Sequence, residues 1–147
     1  PFAALRYSSN FAQSIPSATN TILNYEDRDF GDNAGDVVVG ASWAFTVPIG
    51  GRYLVTSRMA FAATAWLALQ QIHMLILLNG SIESFKRKVF HAGFTGETMI
   101  DLSTLMDCRA TDTIAASIHQ TTAGAIATNT STPANHISII RVPGTES

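Results

Sequence analysis

Residues 45–61, FTVPIGGRYLVTSRMAF, constrain the fold more than any other part of the chain. Pro48 has no amide proton to give to a sheet ladder, so it belongs at a strand end or edge. Gly50 and Gly51 follow it and supply backbone angles that a residue with a Cβ reaches only at a cost. The stretch therefore reads as two strands joined by a tight corner. Beyond the corner, Tyr53, Val55, Ser57, Met59 and Phe61 fall on one face, and Leu54, Thr56, Arg58 and Ala60 on the other. A strand with apolar groups on both faces needs cover on both sides. This predicts a sandwich in which other subunits cover part of the second face.

Strand signals recur at fairly even spacing, with turn residues between them. They fall near 4–7, 21–25, 37–45, 52–62, 73–78, 83–91, 97–105, 111–120 and 136–142. Many short strands in this pattern argue for an all-β sandwich or barrel. Asn79-Gly80 is a strong hairpin signal. Residues 59–72 are rich in Ala and Leu and could pass for a helix on propensity. Their flanks are strand-and-turn chemistry, so the expectation is two antiparallel strands around a turn near 63–66. Residues 26–36 (EDRDFGDNAGD) read as an acidic, solvated loop, and residues 121–135 as a small, polar, uncharged one.

The order of these pieces resembles a known head domain. An aromatic (Phe45), then Val47-Pro48, then Gly50-Gly51-Arg52-Tyr53 is similar to the entry into the long core strand of C1q/TNF-like jelly-roll heads. Ile76-Leu77-Leu78-Asn79-Gly80 resembles that family's strand and Leu-Asn-Gly turn. Ile137-Ser138-Ile139-Ile140-Arg141-Val142 resembles its closing strand. Thr113 to Ile118 sits where the family has a Gly-Asp-x-Val strand, but Thr111-Asp112-Thr113 lacks the glycine. Arg6-Tyr7-Ser8-Ser9-Asn10, Ser14-Ile15-Pro16 and Phe30-Gly31-Asp32 resemble such heads on bacteriophage tail and bacterial surface proteins. The resemblance implies two antiparallel sheets in Greek-key order, assembled as a homotrimer. It also implies a virion or surface location and recognition of host-surface saccharide or protein.

A chain of 147 residues makes one domain, read as a single C1q-like head over 1–147. Only 14% of its residues are charged while 46% are apolar, against about 25% charged in a typical soluble domain. Charge is depleted at obligate interfaces, so this composition favours an oligomer. The net charge of -2 supplies no basic field for nucleic acid and no polybasic membrane patch. The longest apolar run, broken by Thr64, is too short for a membrane-spanning helix. The missing initiating Met and the immediate strand-like start suggest a piece of a longer fibrous polypeptide or a processed product. Cys108 is the only cysteine, which excludes an intrachain disulfide and reads as a buried, inert thiol.

Candidate sites are few. Asp27, Asp29, Asp32, Asn33 and Asp36 offer oxygens of the kind Ca2+ takes, but their spacing does not match an EF-hand loop and Arg28 offsets the field. Structural turn chemistry is the favoured reading, and no cofactor is expected. The four histidines (His73, His91, His119, His136) are too far apart for a local metal motif. Lys86-Arg87-Lys88 reads as a solvated strand edge, with binding of anionic glycans or phosphates as the alternative. Trp43 and Trp66 both read first as core or trimer contact, and Trp66, in the expected turn, is also a candidate for stacking on a sugar. No nucleophile elbow, zinc-protease motif or phosphate loop is present, so the chain reads as non-enzymatic.

Binding is therefore expected in loops at one end of the sandwich. The expected ligand-binding residues are Asp29, Asp32, Asn33, Trp66, Thr128, Asn129 and Thr130, extending to 132. The leading functional expectation is a trimeric head of a phage tail fibre or similar virion appendage that binds host-surface carbohydrate or protein. The alternative is a structural trimerisation cap or capsid-decorating protein without a ligand.

Overall fold

The computed structural model describes residues 2–31, 36–130 and 134–145. Among these residues thirteen strands run β1 (Ala4–Ser8), β2 (Ser14–Ile15), β3 (Thr21–Ile22), β4 (Asp27–Gly31), β5 (Val37–Val38), β6 (Ala44–Thr46), β7 (Gly51–Trp66), β8 (Gln71–Leu78), β9 (Ser81–Val89), β10 (Phe94–Cys108), β11 (Thr113–Gln120), β12 (Ile126–Ala127) and β13 (His136–Arg141). The first sheet has the order β10-β7-β13-β1-β4 and the second β5-β6-β11-β8-β9, with β3 also pairing β11, while β12 and β2 pair in a small separate sheet. Every pairing among the described residues is antiparallel. No helix among the described residues is long and apolar enough to cross a membrane.

The long strand behaves as its alternation requires. Tyr53, Val55, Ser57, Met59 and Phe61 are fully buried between the sheets, while Leu54, Thr56 and Arg58 lie on the outer face. Tyr53 is tied at the corner by donating its hydroxyl to the Ile49 carbonyl at 2.6 Å. Tyr25, Trp43, Phe45, Ile76, Ile114 and Ile139 complete the core from both sheets. Inside it, the Tyr25 and Ser57 hydroxyls share a hydrogen bond of 2.8 Å, and Trp43 Nε1 donates to the Tyr25 carbonyl at 2.9 Å. Asn79 and Gly80 both take positive φ, 52° and 80°, and close the β8–β9 hairpin. Cys108 is buried as expected, and burial, with the carboxylates of Asp112, Glu83 and Asp107 adding to it, pushes its thiol up to about 11.

Three expectations need correction. Residues 37–45 are not one strand but the short hairpin β5–β6, with Val37 paired to Phe45. The segment 59–72 is strand rather than helix, but its turn is not at 63–66. Strand β7 continues to Trp66, and residues 67–70 form the turn, held by Leu67 N–H donating to Gln70 Oε1 at 2.8 Å. The two strands it joins lie in opposite sheets, so this is a crossover and not a hairpin. The cause is distant in sequence: the Trp66 ring stacks on Phe90 at 4.4 Å and 10°, which draws the strand end into the core. Likewise, the acidic stretch is not all loop. Residues 27–31 form edge strand β4 against β1. The strands approach so closely that a Cβ at Gly31 would lie 2.6 Å from Leu5 Cβ.

Candidate functional site

Two surface features stand out. The first is an open groove of about 710 Å3 beside β10, the outer strand of the first sheet. Its lining residues come from four separate places. Ala60 and Met99 face each other across β7 and β10, Lys88 comes from β9, and Phe94, Glu97 and Thr98 come from the start of β10. Asn129, Thr130 and Ala134 come from the connection leading into β13.

Local geometry explains each wall. The β7–β10 register shifts between Gly96 and Thr98, a bulge that leaves Glu97 unpaired and turned to the surface. Gly96 has φ +153°, a backbone angle that favours glycine, and a side chain there would press on the Phe94 ring at 3.1 Å. Phe94 is the outer end of a ladder of rings. It lies 5.9 Å from Phe90 at 17°, and Phe90 in turn stacks on the buried Trp66. Phe94 keeps 43% of its surface exposed. Lys88 Nζ donates to Thr98 Oγ1 and lies 5.6 Å from the Phe90 ring centre.

The opposite wall is pinned by Asn135, which is fully buried. Its Oδ1 accepts the Ala60 N–H at 2.8 Å, and its Nδ2 donates to the Asn129 carbonyl at 2.8 Å. Asn129 N–H donates to the Ala60 carbonyl at 3.0 Å. The Asn135 side chain thus supplies the acceptor that a continued β13 would offer Ala60 two residues beyond the Arg58–His136 pair. A flat ring, a carboxylate, an ammonium, two hydroxyls and an amide around one groove can stack on a sugar face and hydrogen-bond its hydroxyls.

The second feature is the outer face of the first sheet. Register places Leu105 opposite Leu54, Leu54 opposite Ile140, and Ile140 opposite Ala4, a continuous apolar row across four strands. Leu105, Leu54 and Ile140 are 54%, 38% and 45% exposed. The next row is small and polar, with the Thr56 and Ser103 hydroxyls hydrogen-bonded at 2.9 Å.

The expected site residues divide. Asn129 and Thr130 line the groove. Thr128 stands next to them but is buried; its Oγ1 accepts the Gln13 N–H at 2.8 Å, a structural bond. Trp66 is 1% exposed and cannot meet a ligand; burial under Phe90 moves the exposed aromatic face to Phe94. Asp29 is on β4, at the far edge of the sheet from β10. It accepts from Ser8 Oγ at 2.7 Å and pairs with Arg6 Nε at 3.2 Å. Asp32 and Asn33 lie outside the described residues, as do 131 and 132. Among the described residues, no three His, Cys, Asp or Glu side chains converge as metal ligands. Sequence reading did not find Phe94, Glu97 and Thr98; the signal was Gly96 within a strand, which marks a bulge.

No family model and no curated protein matches the chain. Solved structures do. The Eiger TNF of S. frugiperda is similar at TM-score 0.65 and 13% identity, over 100% of this chain and 96% of that one. Murine APRIL at pH 5.0 is similar at TM-score 0.67 and 11% identity, over 97% of this chain and 100% of that one. At pH 8.5 the same protein gives 0.63 and 12%, with the same coverage. The two antiparallel sheets and a likeness that spans nearly the whole chain identify the fold as the C1q/TNF-like jelly roll.

Proposed function

We propose that this chain is the non-enzymatic head of a homotrimer that recognises a host-surface saccharide, as the distal head of a phage tail fibre or a related virion appendage. The observation that carries the assembly is the row Leu105–Leu54–Ile140, set side by side on one open sheet face. Such a contiguous apolar strip is disfavoured on a free monomer surface and suits a threefold contact. The C1q/TNF-like fold supports the same arrangement by resemblance.

Recognition falls to the groove, where the Phe94 ring offers a stacking face and Glu97, Lys88, Asn129 and Thr130 offer hydrogen bonds. Three shallow sites on one rigid head act together, so a weak intrinsic affinity suffices. No cofactor enters this reading. The test is binding of the purified head to a glycan array and to host cells, with Phe94→Ala as control. The expected result is binding that the substitution removes; silence on both surfaces would refute recognition.

One observation favours the second reading, a structural cap or capsid-decorating protein without a ligand. Much of the polar capacity beside the groove is already used internally, by Thr128 on Gln13 and Asn129 on Ala60 and Asn135. A trimer that binds no glycan or host surface would support that reading.

A further inference from the structure

The outer face of the second sheet carries a charge pattern that neither the groove nor the apolar face uses. Register sets Arg87 of β9 directly opposite His73 of β8, and His73 directly opposite His119 of β11. The two imidazole centres are 5.6 Å apart. Adjacent strands are spaced about 4.7–4.9 Å, so the three cationic or ionisable groups span roughly 10 Å in a straight row.

The flanking rows on the same face are Val89, Gln71 and Thr121 on one side and Phe85, Leu75 and Ser117 on the other. Neither holds a carboxylate. Arg87 takes no acidic partner among the described residues, whose three ion pairs all lie elsewhere. In a chain of net charge -2, the fixed charge of Arg87 has no acidic partner on this face, and the two imidazoles beside it add positive charge only when protonated.

The histidines are also oriented. His73 Nε2 lies 2.8 Å from Gln71 Oε1, and His119 Nδ1 lies 3.0 Å from Asn20 Oδ1. With these nitrogens donating to amide oxygens, His73 Nδ1 and His119 Nε2 remain for an outside partner. Protonation turns each of them into a donor. The adjacent guanidinium argues against a metal cation and for an anion, because it repels the first and pairs with the second.

We propose that Arg87, His73 and His119 form a binding site for a tetrahedral or planar oxyanion: a phosphate, sulfate or carboxylate, free or carried on a sugar. Arg87 and the protonated imidazoles donate to its oxygens, while Gln71 and Asn20 hold the rings. In the unliganded protein burial, then His119, then Arg87 hold the His73 ionisation below its ordinary value of 6.5. A bound anion favours the protonated ring, so affinity strengthens as pH falls through that range. The site stands apart from the groove, and its test does not depend on the saccharide reading.

The test is histidine Cε1–H NMR of the intact chain, titrated with inorganic phosphate, glucose 6-phosphate and glucose at about pH 5.5 and about pH 8. The expected result is saturable shifts of His73 and His119 with both phosphates at the lower pH, and none with glucose. Arg87→Ala should weaken binding about tenfold, the loss of one charge-assisted contact. Tighter binding of glucose 6-phosphate than of phosphate would assign the site to a phosphosugar, and equal binding to the oxyanion alone. Parallel, non-saturating shifts of all four histidines, or an unchanged affinity in Arg87→Ala, would overturn the proposal.

Discussion

Replacing Asn135 with alanine tests how the wall of the groove is built. Asn135 is fully buried and Ala60 nearly so, at 5% exposure. The substitution removes the acceptor of the Ala60 N–H at 2.8 Å and the donor to the Asn129 carbonyl at 2.8 Å. A buried donor left without a partner costs about 1–3 kcal/mol, and each lost net hydrogen bond about 0.5–1.5 kcal/mol. The expected destabilisation is therefore about 2–4 kcal/mol, a large share of a typical stability of about 5–15 kcal/mol. Equilibrium urea unfolding reads it, with wild type and variant at the same protein concentration because association contributes to stability. Glycan affinity in the groove should fall as well, since Asn129 loses its anchor. A loss below about 0.5 kcal/mol would mean that Ala60 finds another acceptor, and would refute the claim that one side chain pins the wall.

Other outcomes follow from the core. Tyr25→Phe leaves Ser57 Oγ buried without its 2.8 Å partner and should cost about 1–2 kcal/mol, with Ser57→Ala added on top recovering part of the loss in a double-mutant cycle. Burial raises the Tyr25 phenol above its ordinary value of 10.0. Its neutral form therefore carries no penalty below pH 10, and stability should fall as pH rises above it, when the unfolded chain ionises first; phenolate absorbance should appear together with unfolding. Burial and nearby carboxylates push the Cys108 thiol up to about 11, so iodoacetamide should label it at neutral pH only as fast as the domain opens; rapid labelling of the folded protein would contradict that burial.

The sandwich was legible where local chemistry and tertiary demand coincide. Alternation from Tyr53 to Phe61, Pro48 before the Gly-Gly corner, and Asn79-Gly80 each declare a strand or turn by themselves, and each stands where expected. The misplaced pieces were decided by partners far along the chain. The end of β7 depends on Trp66 reaching Phe90, and β4 on the close approach of Gly31 to Leu5. An edge strand such as Asp27–Gly31 is solvated and shows no apolar alternation to read. The groove was half legible: Asn129 and Thr130 lie in a loop that advertises itself, whereas Lys88, Phe94, Glu97 and Thr98 are gathered by strand pairing. Trp66 drew notice for its size and proved to be the buried end of the ladder whose exposed end is Phe94.

The central claim is that the strip Leu105–Leu54–Ile140 is covered by further copies of the same chain. Light scattering coupled to size exclusion measures this directly. The expected mass is three times the 15.7 kDa of one chain, and Leu54→Asp, which sets a charge in the middle of the strip without touching the core, should return a folded species of one chain. A wild-type protein that stays folded and stable at 15.7 kDa would contradict the account.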